Sequence, residues 1–315
     1  MTQWERSGGR ARRRAARRLV VAAVAALLAP ASALSSNAAA SGAAVPAPAA
    51  GPRPAAVPHL SSVRTFVVNT TADADATHPA SGNCSDANGQ CSLRAAIEVA
   101  NALDEGVTIR LGPQTYDLTL GSLVLTDPAG ISIVGVSSSK TTIRQSASGR
   151  VMEVEEQQTA VGSGSTAGAL GAVRDVTIAK GTAPTTGSFA NQGGAVLLAD
   201  ANDDLVLSND VVTGSSASSE GGGIYANGQL WLSHASLRAN QAGGSGGGIY
   251  ENNGALAIDS SSFSANTIDD PGKQADGGAV YTTGGTAVIS RSSFSSNTVT
   301  GVPAGGALFV DSTAQ

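Results

Sequence analysis

Aromatic side chains are scarce in this chain: Phe, Trp and Tyr make up 3% of its 315 residues. Charged residues are scarce as well, at 14% against about 25% in an average globular domain. There are only three histidines and two cysteines. Each shortage excludes something. So few rings cannot fill a conventional bulky core. His59, His78 and His234 are too dispersed for a zinc site, and two cysteines seven positions apart lack the usual metal-ligand spacing. The apolar run Leu19–Ala29 has eleven residues, short of the ~20 that a helix needs to cross a bilayer. Low charge does not mean disorder here, because 41% of residues are hydrophobic, and disordered chains are poor in apolar residues. What is plentiful is glycine, 39 residues, with Ser, Thr, Val and Ala. That mixture points to an ordered β protein and away from a helix-rich enzyme.

The N-terminus reads as an export signal over residues 1–33. Arg6 to Arg18 supply the basic region, Leu19–Ala29 the apolar stretch and Ala31-Ser32-Ala33 the cleavage signature. The Arg17-Arg18 pair also permits a twin-arginine route. Residues 34–63, rich in Ala and Pro, read as a disordered linker. Without the signal, 12 basic and 23 acidic residues remain, a net charge of −11. A chain this acidic repels phosphate backbones, which argues against nucleic acid as a partner. The mature chain is expected to have no membrane span and to be secreted or displayed at the cell surface. In that oxidising setting Cys84 and Cys91 are expected to close a small disulfide loop.

From residue 193 the chain repeats itself. Gly193-Gly194-Ala195-Val196-Leu197 recurs as Gly221 to Tyr225, Gly246 to Tyr250, Gly277 to Tyr281 and Gly305 to Phe309, at spacings of 28, 25, 31 and 28. Between these anchors lies a second signature, Leu237 to Asn240, Phe263 to Asn266 and Phe294 to Asn297. A period of 20 to 50 residues means stacked units. The apolar residues between anchors alternate with a strand period of two, as in Leu230-Trp231-Leu232. Three short strands and three bends per period describe one coil of a parallel β-helix, and residues 107–315 accommodate about seven coils. Stacking predicts a ladder of Tyr225, Tyr250, Tyr281 and Phe309. It predicts another of Asn240, Asn266 and Asn297, at a bend where asparagine tolerates left-handed backbone and its amide bridges coils. The last coil begins at Gly305 with no cap behind it, so the β-helix reads as C-terminally incomplete and open to end-to-end self-association.

Residues 64–106 differ in kind. Leu93, Ala96, Ile97, Ala100 and Leu103 recur at helical spacing, Ser92 is placed to cap, and Arg94 is expected to pair with Glu98 on the exposed side. A strand, disulfide loop and short amphipathic helix would cap the β-helix at its N-terminal end. Cys91-Ser92-Leu93-Arg94-Ala95-Ala96-Ile97, preceded by Phe66 to Asp73, resembles the CSLREA-type N-terminal module of bacterial surface proteins. That resemblance implies a right-handed parallel β-helix. Ala95 stands where the module carries Glu, a change expected on the helix's exposed side. The glycine anchors and Phe-x-x-Asn tetrapeptides resemble the repeats of polymorphic outer-membrane proteins, which implies an adhesin.

Chemistry is sparse. Pectate-lyase-like lyases and glycoside hydrolases share the fold, and glycosidic cleavage needs two carboxylates facing one groove. Asp203-Asp204 and Asp269-Asp270 are the acidic pairs near strands, and both read more simply as turns. No catalytic residue is assigned and no cofactor is required. Asp73, Asp75, Asp86 and Asn88 offer oxygens of the kind calcium takes, with turn capping as the competing reading. Trp231 is placed either to stack on a sugar or to join the core. The 31-residue period implies an insertion on the functional face, so a loop from Asp269 through Asp270 and Lys273 to Asp276 is the expected contact surface. The function expected is a non-catalytic scaffold for adhesion to a polysaccharide or surface protein. The alternative is a polysaccharide lyase or hydrolase.

Overall fold

The computed structural model describes residues 63–103, 105–155, 168–303 and 306–311; the side chains of 270–275, 301–303 and 311 are outside that description. The expected signal, nearly all of the linker and the outermost C-terminal residues therefore lie outside the described residues.

Strands stack in parallel into a right-handed β-helix. The first face has eight strands, from Arg64–Val67 through Val107–Arg110 and Gln229–Ser233 to Thr286–Ser290. The second runs from Thr115–Leu118 to Ser293–Ser295 and the third from Leu123–Leu125 to Leu308–Asp311, with seven strands each. A short fourth sheet joins the later coils through Ser216–Ala217, Gln241–Ala242, Thr267–Ala275 and Thr298–Pro303. The three-strand coil expected from the repeat therefore becomes a four-strand coil in the C-terminal half. The extra corner falls just after the Asn signature, where the second face would otherwise turn directly to the glycine anchor.

The alternation of each strand sends one set of residues inward. Ile109, Ile133, Val173, Leu207, Leu232, Ile258 and Ile289 stack in register behind the first face. Tyr116, Ile143, Ile178, Val212, Leu237, Phe263 and Phe294 do so behind the second. Phe263 and Phe294 stack at 5.0 Å. These columns share one continuous core, and each fully buried aliphatic contributes about 1.5–3 kcal/mol. Small aliphatics in register fill a narrow tube, so few rings are needed.

The bends explain the glycines. In four of the anchors the first glycine, Gly193, Gly221, Gly246 or Gly277, has φ of 63° to 70°, where L side chains are strained; Gly305 lies outside the described residues. The second is closed in by backbone: a Cβ on Gly222 would lie 2.3 Å from the Gln241 carbonyl. At the Asn bend the left-handed residue is the preceding one, Ala239, Ala265 or Ser296, with φ of 52° to 54°. The asparagines thus do not supply the backbone turn. They point inward, and the amide alone explains their recurrence.

Residues 64–106 are part of the same stack. Arg64–Val67 pairs with Val107–Arg110 as the edge of the first face, and Cys84 and Cys91 form a disulfide. The helix Leu93–Asn101 starts at Ser92, whose hydroxyl accepts from the Ala95 amide at 3.0 Å. Amphipathic in sequence, it is nevertheless buried on most sides: Ala95 is fully buried, as are Ala96, Val99 and Ala100, and Glu98 and Asn101 keep partial exposure. Position 95 is therefore not on an exposed side, and the small residue there fits the packing. Nor does Arg94 face solvent toward Glu98. It is buried, donates to Asp73 at 2.7 and 3.2 Å, and donates to the Gly121 and Ser122 carbonyls at 2.8 and 2.9 Å. Asn101 donates to the Val124 carbonyl and accepts from the Thr126 amide. Arg94 and Asn101 together occupy backbone groups along the free edge of Leu123–Leu125, which removes a site for edge-to-edge pairing.

Candidate contact surface

The outward residues of the third face form two parallel columns. Leu197, Tyr225, Tyr250, Tyr281 and Phe309 are aligned in register. Successive rings from Tyr225 to Phe309 are 5.3, 4.9 and 5.0 Å apart and within 11° of parallel. Phe189 closes the lower end at 6.1 Å from Tyr225. At this spacing each ring covers its neighbour's face. Tyr225 is buried while Tyr250, Tyr281 and Phe309 are half-buried, so these three rings are partly open to solvent.

Beside the rings runs an amide column. Asn252 donates to Asn227 at 2.8 Å, Asn227 donates to the Ala199 carbonyl at 2.6 Å, and Asn253 donates to Asn252 at 2.9 Å. The other flank carries Gln192, which donates to Glu220 at 3.0 Å. Burial pushes the Tyr225 phenol up, aided by the Glu220 charge, while hydrogen bonds from Asn252 and Gln192 oppose the shift. Burial also raises Tyr250, with Tyr281 and Glu220 adding to it. The phenols stay protonated in ordinary buffers, so the stripe offers neutral donors and acceptors with an acid alongside. The amide column was not anticipated from sequence, although Asn227-Gly228 and Asn252-Asn253-Gly254 follow the tyrosines at nearly constant distance.

The expected contact loop is not a loop. Residues Thr267–Ala275 form a strand paired with Thr298–Pro303, and the insertion appears as a register shift between Asp269 and Gln274. Asp269 is exposed and accepts from Thr300 at 3.1 Å. Asp276 is buried. Asp270 and Lys273 lie on the strand, with side chains outside the described residues. Trp231 is buried, 6% exposed, so its ring face is not open for stacking.

The four calcium candidates are not brought together. Asp73 holds Arg94 and accepts from the Thr119 and Leu120 amides at 2.6 and 2.8 Å. Burial opposes ionisation of Asp73, but these bonds outweigh it and its carboxyl is lowered. Asp86 accepts from the Asn88 and Gln90 amides within the disulfide loop, and Asp75 is exposed. Among the described residues no group of three or more His, Cys, Asp or Glu side chains is placed to hold a metal, and no helix is long and apolar enough to cross a membrane.

Three buried acids serve the fold. Asp203 accepts from the Ala169 and Asp200 amides, both at 2.9 Å. Asp210 accepts from Val176 at 2.8 Å and Ser208 at 2.9 Å, and burial pushes it up to about 8. Glu251 accepts from the Gly254 amide, and burial pushes it up to about 7. Compared with known proteins, the chain matches no family model, no curated protein and no solved structure.

Proposed function

We propose that this protein is a secreted or surface-displayed, non-catalytic β-helical scaffold for adhesion, which holds a glycan or a partner surface along its third face. The observation that carries this reading is the outward stripe of stacked tyrosines flanked by asparagine amides. It runs over several coils along the solenoid and presents neutral hydrogen-bonding groups at strand spacing. Such a surface suits an extended ligand of repeating units better than a single small molecule. The buried acids support the non-catalytic side of the reading, since Asp203, Asp210 and Glu251 are engaged inside and do not face a groove. The disulfide and the likeness of Cys91 to Ile97 to a surface-protein module support export.

The test is retention of the mature chain on immobilised neutral and acidic polysaccharides, compared with Tyr250→Ala and Asn252→Ala variants. Retention on at least one neutral polysaccharide, reduced about tenfold or more by either change, is the expected result. Unsaturated products or new reducing ends after incubation with polyuronides would replace this reading with a lyase or hydrolase.

A further inference from the structure

Behind the stripe, the inward column of the third face reads Leu125, Val154, Leu198, Ala226, Glu251 and Thr282 in register. A glutamate therefore occupies a position that five neighbouring coils fill with aliphatic or small neutral side chains. Glu251 is fully buried. Its Oε1 takes the Gly254 amide at the turn out of the strand, and its Oε2 has no hydrogen-bond partner among the described residues. The groups around it are Ala226 below, Thr282 above, and Gly254 and Gly285 at the corner, where a Cβ on Gly285 would stand 2.8 Å from Oε1. None of these carries a charge. The titratable side chain nearest in its own strand is Tyr250, on the opposite surface, and Glu220 acts on that phenol from the outer flank.

Ionisation of Glu251 puts a charge at a fully buried position with one carboxylate oxygen unbonded, a cost that opening to solvent relieves. The shortest such opening is at the end of its strand and the turn at Asn253 and Gly254. That strand carries Tyr250 and Asn252, the middle of the outer stripe. We infer that Glu251 is a pH-sensitive latch, which holds the stripe in register when protonated and loosens it when ionised. The inference rests on the third face being the contact surface, and it makes adhesion stronger in mildly acidic than in alkaline surroundings.

Hydrogen exchange of the mature chain at pH 5 and pH 8 tests the latch without any ligand, so its failure is separable from failure of the adhesive reading. After correction for the intrinsic chemical rate, the amides from Tyr250 to Ala255 are expected to open about 10- to 100-fold more at pH 8 than at pH 5. The strand Thr142–Gln145, with no buried acid among residues 131–155, serves as the control and should stay level. Glu251→Gln should flatten the profile. Glu251→Thr, the residue the next coil uses at Thr282, should do the same if the glutamine variant folds poorly. A wild-type profile without the rise, an equal rise in the control strand, or an undiminished rise in either variant overturns the latch.

Discussion

Two corners of the solenoid bury polar side chains and treat them differently. Where the second face ends, Asn240 and Asn266 are fully buried, and each amide is used on both sides. Asn240 donates to Asn266 and to the Val212 carbonyl at 3.0 and 3.1 Å, and Asn266 repeats the pattern with Asn297 and Leu237 at 3.0 and 2.8 Å. Where the third face ends, Glu251 has one partner and an orphaned oxygen. A neutral amide carries donors and acceptor together and so can be copied from coil to coil. A carboxylate brings only acceptors, and a stack of them would repel. The first corner is therefore a repeating structural device, whereas Glu251 is an acid set into an otherwise neutral inward column.

Removing an asparagine tests the stronger side of that contrast and should have the largest effect. Asn266→Ala removes the acceptor for one N–H of the Asn240 amide and for the backbone N–H of Asn240, and the donor to the Leu237 carbonyl, in a buried corner. A loss of about 3 kcal/mol or more is expected, since each orphaned buried group costs about 1–3 kcal/mol. Asn266→Ser should cost less, because Ser215 already serves this corner, its hydroxyl accepting from the Gly181 amide at 3.1 Å. Urea unfolding midpoints of the two variants give the comparison, and equal losses would mean that the amide's second bond contributes nothing.

Asp210 separates charge from partner number. It lies at the bend between the first and second faces with both oxygens bonded, yet burial still pushes it up to about 8, with Asp175 adding to the rise and Arg174 opposing it. A carboxyl raised in the folded state adds most to stability below its unfolded value near 4, and that contribution is lost as pH rises through about 8. The equivalent bend positions two and three coils later hold Ser261 and Ser292. The Ser261 hydroxyl accepts from the Ala235 amide at 3.1 Å and donates to the Asp259 carbonyl at 2.8 Å. Asp210→Ser should therefore keep the Val176 bond and flatten the fall in stability between pH 5 and 8.5, a fall bounded by about 1.4 kcal/mol per pH unit. Denaturation midpoints across that range should show the variant's curve crossing the wild type's. Parallel curves would show that Asp210 is not the titrating group.

How far the sequence discloses such features depends on whether they repeat. The glycine anchors, the Phe and Asn positions and the strand period recur every 25 to 31 residues, so the solenoid and the register of Tyr225 over Tyr250 over Tyr281 can be read from spacing. What occurs once cannot be read that way. Arg94 shows helical spacing to Glu98 but is committed to Asp73 and to carbonyls 27 and 28 residues away. Ala95 looks like a lost surface charge until the helix is seen to be enclosed on nearly every side. The 31-residue period correctly locates an insertion, but not that it widens a fourth sheet instead of forming a loop. Glu251 lies in an alternating strand where Ala226 and Thr282 mark the inward row, and only the register turns that into a buried acid.

The smallest stability change expected is also the one that best separates fold from function on the third face. Tyr281 stacks between Tyr250 and Phe309 at 4.9 and 5.0 Å, and such contacts between rings contribute about 0.5–1.5 kcal/mol each. Tyr281→Phe keeps both contacts, and Phe309 in the next coil shows that a ring without a hydroxyl fits the ladder. The thermal midpoint should therefore move by no more than the equivalent of about 0.5 kcal/mol, as for other surface substitutions. If the ladder exists only to fasten coils together, retention on polysaccharide will be as unaffected as the midpoint. If the hydroxyl edge is the contact, retention should fall by about threefold to tenfold, roughly the worth of one hydrogen bond, while the fold stays intact. Phe309→Tyr adds a hydroxyl to the same row and should raise retention, a reciprocal result that loss of stability cannot imitate.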